Sequence, residues 1–184
     1  MIETSFYNEN ELKRLGFKSF GKNVFISRHA RLYGTENMSF GDNVRIDDFC
    51  ILSGNIFIGS FIHISAYVGL YGKAGIEIND YSGISPGCRL FSASDDFSGD
   101  FFIGPMVEQE YIHLICGKII LKRYVQIGAN SIVLPGVTLE EGSVTGAMSL
   151  INKNTNSWKM YAGIPATCIK ERNKGLLDLK HEKK

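Results

Sequence analysis

The amino-acid sequence predicts an all-β coiled repeat of about six triangular coils, and three observations carry that prediction. The first is a six-residue period. Residues 121–156 divide into LKRYVQ, IGANSI, VLPGVT, LEEGSV, TGAMSL and INKNTN. Their leading places hold Leu121, Ile127, Val133, Leu139, Thr145 and Ile151, and their fifth places hold only small or β-branched residues. An amphipathic helix would repeat near 3.6 residues and a simple strand at two, so a period of six belongs to a coil. The second observation is the reach of the frame. It runs back through Phe20, Ile26 and Leu32, then Phe40, Ile46, Leu52, Ile58, Ile64 and Leu70, then Ile78, Ile84 and Leu90. Of 18 leading residues 17 are large and apolar, where a chain 44% hydrophobic would give about eight by chance. The third is the placing of the breaks. Leu32 to Phe40 and Leu70 to Ile78 each add two residues, and Leu90 to Leu121 adds 25. With three hexads to a turn, all three insertions follow a third hexad and stack at one corner, as repeat proteins confine insertions to one face.

Taken in order, residues 1–19 precede the repeat and are expected to cap it. A short helix from Asn8 to Leu15, with Asn8 or Asn10 as its cap and Gly16 as its stop, would cover the open end. Residues 20–157 form the coils. Residues 96–120 are an inserted arm, too long for a turn and too apolar for a linker, since Phe97, Phe101, Phe102, Ile103, Met106, Val107, Tyr111 and Ile112 all need a surface to pack on. Residues 158–184 leave the repeat as a C-terminal extension with a charged tail, helical or frayed.

Composition excludes several classes of function. The net charge of +1 and 21% charged residues offer no electrostatic footprint for nucleic acid or membrane. No apolar run approaches a membrane span, and the first 20 residues lack the apolar core of a signal peptide. Cys50 and Cys88 fill fifth-place slots, and Cys116 and Cys168 have no metal-type spacing. All four are read as reduced thiols of a cytoplasmic protein.

The segments IGAN-SIVLPGVTL, GAMSLINKN and AGIPATCIKER resemble the hexapeptide-repeat acyltransferases, in particular the sugar O- and N-acetyltransferases related to galactoside and maltose acetyltransferases. The resemblance spans roughly residues 20–172. It implies a left-handed parallel β-helix, acetyl-CoA as co-substrate with no metal, and a homotrimer with active sites between subunits. The three-sided repeat and the apolar arm suit such a trimer.

Several residues could carry the chemistry. The second hexads supply Ser65-Ala66, Ser85-Pro86, Gly128-Ala129 and Gly146-Ala147 at their second and third places. Stacked small residues would leave a groove with accessible backbone groups for a pantetheine arm, although tight turns favour the same residues. Ala129, Ala147 and Lys153 match cofactor-binding residues of the family, which tips the reading of Gly128, Ala129, Gly146 and Ala147 to the groove. Lys153, Lys170 and Arg172 are expected to hold the phosphates of coenzyme A. The family commonly has an arginine after Pro-Ala; this chain has Thr167 there, so Lys170 and Arg172 would compensate. Where the family places its catalytic histidine, this chain has Asp95. His63 and Asp95 are the candidate catalytic residues, with Ser65 and Asp96 beside the acceptor. His63 and Asp95 fall at different corners of one prism, so a dyad could form only across subunits. His29 reads as a surface residue, His181 lies in the tail, and His113 on the arm is the next candidate base.

Losing the family's histidine points to an amine acceptor, because a neutral amine is already nucleophilic. The reading is therefore an acetyltransferase acting on the amino group of a nucleotide-linked deoxyamino sugar in surface-polysaccharide synthesis. The alternatives are an O-acetyltransferase or a non-catalytic trimeric scaffold. A γ-carbonic-anhydrase-like zinc enzyme would need three histidine ligands, and only His63 and His113 could lie near the groove.

Overall fold

The computed structural model describes residues 5–180. Its strands wind into a three-sided parallel β-helix. The first face stacks Ser19–Phe20, Met38–Phe40, 56–58, 76–78, Ile119–Leu121 and Thr138–Leu139. The second stacks Val24–Ile26, Val44–Ile46, Ile62–Ile64, Gly83–Ile84, Gln126–Ile127 and Val144–Thr145. The third stacks Arg31–Tyr33, 51–53, 69–71, Arg89–Phe91, Ile132–Val133 and Leu150–Ile151. In every pairing the leading residue of one hexad lies on the leading residue of the next. Ile26, Ile46, Ile64, Ile84 and Ile127 make one such column and are at most 1% exposed, so the core is three stacks of aliphatic side chains. Each contributes roughly 1.5–3 kcal/mol of transfer free energy.

The one polar leading residue has a local reason. Thr145 lies beneath the last strand of its face, and its Oγ1 accepts from the Gly128 amide at 3.2 Å. Inward serines are likewise bonded: Ser82 Oγ donates to the Lys122 carbonyl, and Ser131 and Ser149 Oγ both donate to the Gly146 carbonyl.

The corners between the first and second faces need a left-handed residue, and the chain places Asn23, Asn43, Phe61, Tyr81, Tyr124 and Trp158 there at φ from 55° to 63°. Left-handed backbone costs a non-glycine residue about 1–2 kcal/mol. Ring stacking offsets it: Phe61 on Tyr81 at 4.7 Å, Tyr81 on Tyr124 at 5.6 Å, and Tyr124 near Trp158 at 6.0 Å. The two-residue break after Leu70 appears as a register shift, with Gly54 opposite Gly72 but Ile56 opposite Ile76.

The N-terminal helix lies where the sequence puts it. A helix over Glu9–Arg14 starts at Asn8, whose side chain and that of Glu11 form a capping box, and it buries Leu12 against the first coil. The C-terminal end differs. Residues 158–169 do not simply depart from the repeat: Lys159–Gly163 adds a seventh strand to the second face, Tyr161 on Thr145, and turns back antiparallel with Ala166–Glu171. The hexad pattern hides this strand because it sits at the open end, where a full coil is not required. Residues 175–180 form a 3₁₀ helix, and His181 lies outside the described residues.

The arm leaves the corner between the third and first faces on a two-stranded ribbon, Ala93–Asp95 against Leu114–Cys116. Lys118 Nζ meets Glu77 Oε2 at 2.6 Å and fixes its return. Its outer part has little to pack on within the chain, leaving Phe97, Phe102, Ile103 and Met106 exposed.

Candidate active site

The second face carries two outward stripes. One runs Arg45, His63, Gly83, Gln126, Val144 and Met160, fixed by parallel register. Just past each strand end, the other runs Ser27, Asp47, Ser65, Ser85, Gly128 and Gly146, each amide bonded to the coil beyond it. Ser27 is fully buried. Ser65 and Ser85 are half-buried, and among the described residues neither hydroxyl has a partner. Two half-buried hydroxyls with unspent bonding capacity, beside a glycine, form a notch able to bind a polar ligand. Gln126 roofs it, for a methyl added at Gly83 would fall 2.5 Å from Gln126 Oε1.

Toward the C-terminal coils the stripe turns to small residues, and the geometry revises the expectation of accessible glycine backbone. The Gly128 amide donates to the Thr145 carbonyl and the Gly146 amide to the Tyr161 carbonyl. Their carbonyls accept from inward side chains, Cys88 Sγ for Gly128 and Ser131 and Ser149 for Gly146. The glycine groups are thus spent on the coil. The amides of Ala129 and Ala147, one residue further at the corner, have no intrachain acceptor among the described residues. Those two amides, and not the glycines, can hold a ligand's carbonyl. Gly128 is small for stacking: a methyl there would sit 2.5 Å from the Gly146 carbonyl carbon.

His63 does not meet Asp95 within the chain. Its Nε2 lies 2.7 Å from Asp47 Oδ2, and Arg45 Nε binds the other oxygen at 2.7 Å. Burial works to raise the Asp47 carboxyl, but the hydrogen bonds from Arg45 and His63 outweigh it and hold it below the ordinary carboxylate range. Asp95 sits at the base of the arm, across from Leu114. Successive side chains of a ribbon point to opposite sides, so Asp96 and His113 take the other side, where His113 Nδ1 lies 2.8 Å from Asp96 Oδ2. The hydrogen bond from His113 lowers the Asp96 carboxyl. This imidazole–carboxylate pair was not foreseen, although Asp96 and His113 were singled out separately; their separation of 17 positions conceals a pairing that only the ribbon creates.

Lys153 and Lys170 are exposed. Arg172 is partly committed, its Nη1 donating to the carbonyls of Tyr124 at 2.7 Å and Gly142 at 2.9 Å, with its guanidinium over the Trp158 ring. It pins the C-terminal segment to the corner. Among the described residues there is no cluster of three His, Cys, Asp or Glu side chains suited to a metal.

No family model matches the chain. A dTDP-4-amino-4,6-dideoxy-D-glucose acyltransferase of Escherichia coli is 42% identical over 178 residues, spanning 95% of this chain and 93% of that protein. The chain belongs to that acyltransferase family. Solved structures agree. AntD, an N-acyltransferase from Bacillus cereus, in complex with dTDP and 3-hydroxybutyryl-CoA, matches with a TM-score of 0.95 and 46% identity, covering 98% of this chain and 96% of that one. A serine-to-alanine variant of AntD in complex with dTDP-4-amino-4,6-dideoxyglucose and coenzyme A matches with a TM-score of 0.96 at the same identity, covering 98% and 97%. A hexapeptide-repeat acetyltransferase from Vibrio cholerae complexed with acetyl coenzyme A, 21% identical with a TM-score of 0.59 over 90% of this chain and 76% of that one, shares the fold. This chain is therefore an acyltransferase of the left-handed β-helix class.

Proposed function

We propose that this enzyme transfers an acyl group, acetyl in the first instance, from its coenzyme A thioester to the 4-amino group of dTDP-4-amino-4,6-dideoxyglucose. The observation that carries the reading is the unspent pair Ser65 and Ser85 beside the Gly83 notch, with Asp95 on the arm. Variants of AntD alter a serine and an aspartate that lie ten residues apart in that protein. Ser85 and Asp95 are the one serine–aspartate pair with that spacing in this chain.

In the step proposed, the neutral amine attacks the thioester carbonyl, the C–S bond breaks, and coenzyme A leaves as its thiolate. Asp95 attracts the ammonium form and accepts or relays the proton shed by nitrogen. Ser85 Oγ–H donates to the developing oxyanion. The Ala129 and Ala147 amides hold the pantetheine carbonyls, and Lys153 and Lys170 meet the phosphates; Arg172, partly spent, supports that end.

The enzyme works as a homotrimer in the cytoplasm, serving surface-polysaccharide synthesis. Supporting the trimer, the exposed apolar arm needs a partner's surface, and Asp95 and the second face of one chain lie on either side of the third face. The test is thiol release from acetyl-CoA with dTDP-4-amino-4,6-dideoxyglucose against dTDP-glucose, with 3-hydroxybutyryl-CoA as competing donor. Release with the amino sugar alone supports the reading. Equal release with the hydroxyl sugar sinks N-acylation, and a preference for the longer thioester replaces acetyl as the donor.

A further inference from the structure

Gly83 is a glycine without a backbone reason to be one. It lies within a strand of the second face and its φ is not left-handed. The three atoms nearest a methyl built there all belong to one side chain: Gln126 Oε1 at 2.5 Å, Nε2 at 3.0 Å and Cδ at 3.1 Å. Glycine inside a strand weakens it and marks a close approach, and here the approach is by a carboxamide. Gln126 pairs with Gly83 from the next coil, and its end group folds back along the axis over the bare Cα rather than standing clear of the face. Among the described residues neither its oxygen nor its nitrogen has a hydrogen-bond partner. His63, on the other side of Gly83, leans away, its Nε2 on Asp47 one coil earlier. Gly83 and Ser85 flank the inward Ile84, so the Cα that the carboxamide covers is roughly 7 Å along the chain from that of Ser85.

An uncharged acceptor beside the reacting centre suits an amine for a countable reason. A neutral primary amine that turns its lone pair to the thioester carbon has two N–H bonds to place, whereas a hydroxyl has one O–H. In the step set out above the N–C bond forms, the C–S bond breaks, the thiolate leaves and one proton passes to Asp95. The second N–H stays on nitrogen and becomes the N–H of the product amide. Ser85 is turned to the oxyanion, so the retained N–H needs a different acceptor. A second carboxylate would hold the nitrogen as its ammonium. A carboxamide oxygen accepts the bond without doing so. We propose that Gln126 Oε1 accepts the retained N–H, aiming the amine's lone pair at the thioester carbon and favouring primary amines over hydroxyls and secondary amines. The inference rests on the N-acylation reading and adds a residue to it.

Gln126→Ala removes the carboxamide from an exposed position and leaves room. Thiol release from acetyl-CoA is measured for wild type and variant with dTDP-4-amino-4,6-dideoxyglucose and with its 4-methylamino analogue, which keeps no N–H once acylated. Wild type should prefer the primary amine by about tenfold or more in kcat/KM, as a site built to bond an N–H rejects the analogue lacking it. Gln126→Ala should lose a similar factor on the primary amine and turn over the two sugars within about threefold of each other, because deleting either partner of one bond removes the same interaction. Its KM for acetyl-CoA and its Tm should match wild type. Undiminished turnover of the primary amine by the variant overturns the assignment, leaving the glutamine a matter of bulk. A variant that keeps the wild-type preference, or a wild type with no preference, overturns it as well. A raised KM for acetyl-CoA in the variant also overturns it, by moving the glutamine to the donor. A wild type that acylates neither sugar removes the N-acylation reading itself, and the role of Gln126 with it.

Discussion

Gly83 and Gly128 sit one coil apart on the second face and look alike in sequence, yet a single methyl should do opposite things at the two. Neither has the left-handed backbone that only glycine tolerates, so alanine brings no conformational penalty at either. At Gly128 the new methyl would lie 2.5 Å from the Gly146 carbonyl carbon and 2.6 Å from the Ala147 nitrogen. Both are backbone atoms, locked by ladder bonds from Gly128 to Thr145 and from Gly146 to Tyr161. The coil spacing of about 4.8 Å must open, so Gly128→Ala should cost roughly 1–3 kcal/mol as an overpacking. At this chain length each kcal/mol is about 2–4 °C of Tm. At Gly83 the obstacle is Gln126 Oε1 at 2.5 Å, the tip of an exposed side chain that can swing away. Gly83→Ala should therefore stay within about 0.5 kcal/mol of wild type, while its methyl occupies the notch beside Ser85 and raises the acceptor's KM without altering that of acetyl-CoA. Thermal unfolding and two-substrate kinetics read both effects. A Gly128→Ala protein melting with wild type refutes the stacking argument; a Gly83→Ala protein with unchanged acceptor KM refutes the notch as the acceptor site.

Asp95→Asn should raise the KM for the amino sugar and lower kcat, together by about 10²–10⁴ in kcat/KM, with coenzyme A binding kept; near-wild-type kinetics would remove Asp95 from the site. Light scattering at micromolar concentration should give a trimer, and deleting residues 97–111 should lower its assembly; a monomeric full-length protein defeats the shared-site arrangement. Because Asp47 titrates below its ordinary value when folded, its contribution to stability is present above that ordinary value and lost as pH falls through the folded one. Asp47→Asn should then melt lower than wild type at neutral pH, and the two curves should draw together as the pH falls below the ordinary carboxylate range.

The fold was legible because its signal is redundant. Each leading residue stacks on its counterpart in the next coil, so the period was written six times on each face, and even the two-residue break after Leu70 reappears as a register shift at Gly54 and Ile56. The site was legible only where it shares that period. Ser65, Ser85, Gly128 and Gly146 could be aligned from spacing alone, but not which of their backbone groups remain free. Availability is decided by inward partners such as Cys88 and Ser149, whose bonds no periodicity records. The pairs His63–Asp47 and His113–Asp96 were hidden for another reason: each joins residues from neighbouring strands whose individual identities follow no repeat. The strand Lys159–Gly163 was missed because one strand at an open end carries no period.

Where the histidines went bears on the chemistry. A hydroxyl acceptor needs a base near neutrality, and an imidazole with pKa near 6.5 is the usual supplier. Here His63 has its Nε2 on Asp47 in the second coil, and His113 has its Nδ1 on Asp96, on the side of the ribbon away from Asp95. The residue left at the arm's base is a carboxylate, a weak base at neutral pH but a strong attractor of cations. An amine near the α-amino range, with a pKa of about 7.7–8.0, is roughly a tenth neutral at pH 7. Reaching the reactive form thus costs it only about 1.4 kcal/mol, and in the proposed step the proton the amine sheds passes to Asp95. A hydroxyl, with a pKa far above neutrality, gains nothing comparable from a carboxylate. On the proposed assignment, a carboxylate rather than an imidazole at this corner costs an N-acyltransferase little and an O-acyltransferase most of its general-base assistance, and that asymmetry favours the amine.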